Sequence, residues 1–92
     1  MMTLHTLKIV PEYYDAVRNG IKTFEIRKND RDYKVGDTLR LREYTPDLET
    51  DVDAERFTGR DVRAAVTYII THDMFPNGIP EGYCVMGIRV IE

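Results

Sequence analysis

The sequence predicts a small α+β domain, a mostly antiparallel β-barrel with one early helix. Three observations carry that reading. Five short stretches alternate apolar and polar residues, one stretch near the N-terminus has helical spacing, and 92 residues suffice for a single core. Residues 1–92 therefore read as one domain, without an internal repeat or a linker.

The first strand is expected over residues 4–9, where His5, Leu7 and Ile9 share a face and Lys8 points the other way. Pro11 suits the first turn of a helix, where its missing N–H costs nothing, and Glu12 and Asp15 favour the positive N-terminal end. Tyr13, Tyr14, Ala16 and Val17 supply the apolar stripe, and Asn19-Gly20 is the stop signal. The tyrosine pair is expected mainly in the core, with one ring able to flank a cleft.

A second strand is expected over residues 22–28. Phe24 and Ile26 are the apolar members and are assigned to the core, which places Thr23, Glu25 and Arg27 on the solvent face. Polar turns at 29–32 and 35–37 lead into a third strand, 38–44, where Leu39 and Leu41 alternate with Arg40 and Arg42. Residues 45–59 have weak periodicity, many acids and a proline, and read as a long exposed loop. A β-branched strand follows at 62–71, then a Pro- and Gly-rich loop at 73–82. The closing strand, 83–91, carries Cys84, Met86, Ile88 and Val90 on one face.

Composition narrows the function classes. No apolar run is long enough for a transmembrane helix, and the N-terminus lacks the pattern of a secretory signal, so no membrane partner is expected and a cytoplasmic location is. One cysteine, Cys84, forms no internal disulfide and reads as a buried, inert thiol. His5 and His72 have no further nitrogen or sulfur ligand at metal spacing, so neither a metal nor another cofactor is expected. His5 is expected under the helix or bonded to a backbone group. Net charge is -3, but eight basic residues against four acids give +4 over residues 18–42, and two against seven give -5 over 43–61. A chain so divided can offer a local phosphate-attracting surface while remaining acidic as a whole. Its plain alternative is an ordinary solvated exterior.

The strongest local feature is Gly20-Ile21-Lys22-Thr23-Phe24-Glu25-Ile26-Arg27. Strand spacing sets Glu25 and Arg27 side by side, close enough to bond each other or a shared ligand, and Lys22 stands at the strand entrance. Taken alone, the same residues also describe an edge-strand ion pair of little energetic weight.

Gly20-x-Lys22-x-x-Glu25-x-Arg27 resembles the signature of the ASCH domains, a branch of the PUA-like superfamily. The blocks His5-x-Leu7-Lys8-Ile9, Pro11-Glu12-Tyr13-Tyr14, Val35-Gly36-Asp37, Thr58-Gly59-Arg60 and Gly82-Tyr83-Cys84-Val85-Met86 extend the resemblance, towards a compact bacterial and phage subfamily. The resemblance implies a PUA-like barrel that binds RNA or a nucleotide-like molecule in a cleft beside the early helix. Lys22 would contact phosphate or a base acceptor, Glu25 an exocyclic amine or ribose hydroxyl, and Arg27 would orient Glu25 or grip phosphate. Lys8 is a further cleft candidate, and Tyr83 a stacking candidate. A related group hydrolyses acetylated cytidine with a lysine, a threonine and a glutamate. Lys22 matches that lysine, but Glu25 stands where the threonine would be. The chain thus reads as a binding module rather than an enzyme, with a Lys22–Glu25 acid/base hydrolase as the alternative. An adaptor role for the acidic 45–59 segment has only charge bias behind it, and no protein partner is specified.

Overall fold

A computed structural model describes residues 2–46 and 55–92. The elements run β1 (Leu4–Ile9), α1 (Pro11–Arg18), β2 (Phe24–Lys28), β3 (Thr38–Pro46), β4 (Glu55–Thr71) and β5 (Tyr83–Val90). Pro11 opens α1 as expected, and Gly20 follows it at φ +73°, in the left-handed region that closes helices.

The strands form one five-stranded sheet in the order β1-β3-β4-β5-β2. Three pairings are antiparallel, as expected, and β1 with β3 is parallel. Parallel pairing needs a long crossover, and the chain from residue 10 to residue 37, with α1 and β2 within it, supplies one. The sheet curls into a half-barrel rather than a closed, purely antiparallel one. Its core is built from Leu7, Leu39, Leu41, Val62, Val66, Cys84 and Met86, and α1 adds Tyr14 and Val17. Alternation in β1, β3 and β5 follows the expected phase: Leu7 and Ile9, Leu39 and Leu41, and Cys84, Met86 and Ile88 are all buried.

Strand β2 has the expected period and the opposite phase. Glu25 is buried, only 3% exposed, whereas Phe24 and Ile26 are 45% and 58% exposed. Register explains it. Glu25 lies opposite Met86 and Arg27 opposite Cys84, and directly paired residues of an antiparallel ladder face the same way, here inward. The interior accepts these charges because they satisfy one another, as described below.

Residues 45–59 are not one loop. Thr45 and Pro46 finish β3, and 55–59 begin β4, with Tyr44 opposite Phe57 and Thr45 opposite Arg56. Polar strands on a two-stranded arm carry no one-sided apolar pattern, which is why the stretch lacks a periodic signal. The remainder of that expectation, 47–54, lies outside the described residues. His5 also differs from expectation. Its Nε2 lies 2.8 Å from Asp37 Oδ2, and its ring meets Tyr33 edge-on at 4.7 Å. Asp37 also accepts from the N–H groups of Thr3 and Lys34, so one buried carboxylate ties β1 to the turn before β3.

Candidate functional site

The two edge strands, β1 and β2, face each other across the seam of the half-barrel. The backbone dictates which groups meet there. Thr38 N–H donates to Thr3 C=O, so alternation along β1 turns the carbonyls of Thr6 and Lys8 to the open edge. Two arginines take them: Arg27 Nη2 donates to Lys8 C=O at 2.8 Å, and Arg31 Nη1 to Thr6 C=O at 3.1 Å.

Above the Arg27 bridge the seam widens into a cleft of about 630 Å³ between β1, α1 and β2. Glu25 sits in it between two cations. One carboxylate oxygen accepts from Lys22 Nζ, and the other accepts from Arg27 Nε at 2.8 Å. Lys22 Nζ also donates to Phe24 C=O at 2.7 Å and lies 5.0 Å and 5.4 Å from the ring centroids of Phe24 and Tyr13. The trio carries one net positive charge. Its geometry can present two fixed cations to an anion, while the buried carboxylate holds them in place.

Of the residues singled out in the sequence, Lys8, Lys22, Glu25 and Arg27 all line this cleft. Tyr83 does not. It opens β5 opposite Lys28, beyond the Arg27 bridge. Thr23 lines a separate hollow with Arg18 and Ile88, so this aliphatic hydroxyl lies outside the cleft. Cys84 is fully buried, and burial pushes its thiol pKa up, as befits an inert core residue.

Of the aromatic walls, the sequence anticipates one, since a ring of the Tyr13–Tyr14 pair is expected to flank a cleft. The sequence pattern puts Phe24 in the core and Tyr44 next to a stretch that reads as loop. Both line the cleft, as does half-exposed Tyr13, whereas Tyr14 is buried. A second buried carboxylate, Glu43, carries no signal in the local sequence pattern. It accepts from Arg60 through both oxygens, at 2.8 Å and 2.7 Å, and from the Thr58 hydroxyl at 2.7 Å. The Arg60 and Thr58 bonds outweigh burial and hold Glu43 below the usual carboxylate range, while the same pairing raises Arg60 further. Both Glu43 oxygens are engaged within this cluster, and Arg60 also reaches Asp15 at 3.4 Å. Among the described residues, no group of His, Cys, Asp and Glu is placed to hold a metal ion, and no helix is long and apolar enough to cross a membrane.

Comparison with known proteins adds a family. The chain is 40% identical over 67 residues to the "Uncharacterized 12.9 kDa protein in GpA 3'region" of Escherichia phage P2, an alignment covering 73% of this chain and 54% of that protein. The chain thus matches about half the length of that relative. The family described as "Domain of unknown function (DUF3850)" matches residues 4–88, a span from the start of β1 almost to the end of β5 that takes in the whole seam. The chain belongs to this DUF3850 family.

Proposed function

We propose that the seam cleft binds a nucleotide-like ligand, free or as one unit of an RNA strand, and that the protein is a binding module. The observation that supports it most is the composition of the cleft: aromatic walls at Tyr13, Phe24 and Tyr44, with Lys22 and Arg27 fixed on Glu25. Flat aromatic faces suit a base, and cations held by a carboxylate suit a phosphate. A volume of about 630 Å³ falls in the usual range for small-ligand sites. The resemblance of Gly20-x-Lys22-x-x-Glu25-x-Arg27 to the ASCH signature points the same way. The acidic chain, of pI about 5.4, suits a defined site better than indiscriminate RNA binding.

Glu25 has a different part in this reading from the one the motif alone implied. Both its oxygens are engaged, so it positions Lys22 and Arg27 rather than contacting an amine itself. The hydrolase alternative has the Lys22–Glu25 contact in its favour. Against it, no serine, threonine or cysteine lines the cleft.

Titration of nucleoside monophosphates and a short single-stranded RNA against wild type, Lys22→Ala, Arg27→Ala and Arg63→Ala tests the proposal. Lys22→Ala and Arg27→Ala should each weaken binding by about 1–3 kcal/mol and reduce its salt dependence. Arg63, which pairs with Glu92 away from the cleft, is the control and should change little. Thermal unfolding of each variant separates lost binding from lost fold, because Arg27 also bridges the seam. Equal affinities across the set would reduce the motif to an ion pair. Acetate release from acetylated cytidine that depends on Lys22 would establish the hydrolase instead.

A further inference from the structure

We infer that the main chain of Ile26 reads the edge of a nucleobase in the seam cleft. The inference rests on the nucleotide reading of that cleft and names the group that would bond the base edge. Glu25 cannot serve, because each of its oxygens is held by a cation and its side chain is only 4% exposed. The donor and acceptor must come from elsewhere.

The strand ladder supplies them. Ile88 N–H donates to Thr23 C=O, and Asn29 N–H to Gly82 C=O, so the bonded pairs of β2 with β5 fall at Thr23, Glu25, Arg27 and Asn29. Alternation then turns the N–H and C=O of Phe24, Ile26 and Lys28 away from β5, to the open edge. Phe24 C=O is already taken by Lys22 Nζ at 2.7 Å. Lys28 lies past the Arg27 bridge and does not line the cleft. Ile26 remains: a cleft residue whose donor and acceptor lie side by side on the open edge.

One strand residue thus offers N–H next to C=O, the complement of an adjacent acceptor and donor on a base. Adenine, cytosine, guanine and uracil each carry such a pair on the Watson–Crick edge. A base laid against an aromatic wall would meet Ile26 with that edge while its phosphate meets Lys22. A whole peptide strand fits less well, since pairing along β2 would displace the Arg27 bridge to Lys8 C=O.

Ile26→Pro removes the N–H, and proline is tolerated where an edge strand's N–H faces away from the ladder. Ile26→Ala removes the side chain and keeps the N–H. Both are titrated with AMP, CMP, GMP and UMP after thermal unfolding has shown them folded. Binding should fall about tenfold for Ile26→Pro, as expected for a lost hydrogen bond, and about twofold or less for Ile26→Ala. A second arm needs no variant. It compares UMP with 3-methyl-UMP, CMP with its N4,N4-dimethyl form, and AMP with its N6,N6-dimethyl form, each methylation removing the donor from the edge. A loss of about tenfold or more on methylation of a nucleotide that wild type binds supports main-chain reading. Equal binding by both variants, with methylation harmless, overturns the Ile26 inference and leaves nucleotide binding intact. Failure of wild type to bind any nucleotide or RNA overturns both.

Discussion

Asp37 and Glu43 stand just before β3 and near its outer end, two carboxylates almost without exposure. Burial works against ionising Asp37, but donors from His5, Thr3 N–H and Lys34 N–H outweigh it and bring its pKa below the ordinary 3.8. Glu43, held by Arg60 and Thr58, likewise lies below its ordinary 4.5. Both folded pKa values are therefore depressed relative to the unfolded chain. The stability these groups add is complete above their ordinary values and is lost as pH falls through the lowered folded ones. Urea unfolding at pH 7 and pH 3.5 should show a clear drop at the lower pH. Glu43→Gln should be less stable at pH 7 and should narrow that gap. An unchanged gap in Glu43→Gln would mean that the Arg60 pairing is not linked to folding.

Strand β2 separates period from phase. Its alternation is legible from Phe24-Glu25-Ile26-Arg27, and its phase is not, because the apolar members of a strand are by default expected inward. Inward charge is tolerable only when partners are present, and those partners, Lys22 at the entrance and Lys8 C=O on another strand, are fixed by packing that no local pattern reports. Glu43 repeats the lesson on β3. It follows Leu39 and Leu41 on the inward face, and its partners come from β4, Thr58 from the stretch that reads as loop and Arg60 from just beyond it. By contrast, β1, α1 and β5 are legible to within a residue or two, since their inward positions are apolar apart from His5 and their ends carry Pro11, Gly20 or Gly82. The motif residues Lys22, Glu25 and Arg27 are legible because they are charged and closely spaced, whereas Phe24 and Tyr44 carry no such signal. The phase reversal is directly measurable. Ile26→Thr should change unfolding free energy by about 0.5 kcal/mol or less, as at a surface site. Met86→Ala, opposite Glu25 and fully buried, should cost about 2–5 kcal/mol. Comparable losses would restore the apolar-inward phase.

At the scale of the molecule, the sheet order sends β1 and β2, neighbours in the chain, to opposite edges, and curling brings those edges back together. Strand edges left open invite pairing with another chain, and side chains that occupy their carbonyls blunt that risk. Arg27 and Arg31 occupy Lys8 C=O and Thr6 C=O, every second carbonyl along β1, so two guanidinium groups from β2 and the turn after it lace the seam. The lacing joins the weakest-held parts of the sheet: β1 and β2 each have one strand neighbour, whereas β3, β4 and β5 have two. Arg31 lies on the far side of the Arg27 bridge from the cleft, among Leu7, Lys28, Asp30 and Tyr33, so its removal tests the seam without altering the binding walls. In Arg31→Ala, native-state hydrogen exchange should speed up together in the amides of β1 that bond β3 and those of β2 that bond β5, with β4 protection preserved. Simultaneous loss in two strands that share no backbone hydrogen bond with each other is the signature of a side-chain seam. Exchange that rises in β1 alone would show that Arg31 holds one strand rather than closing the half-barrel.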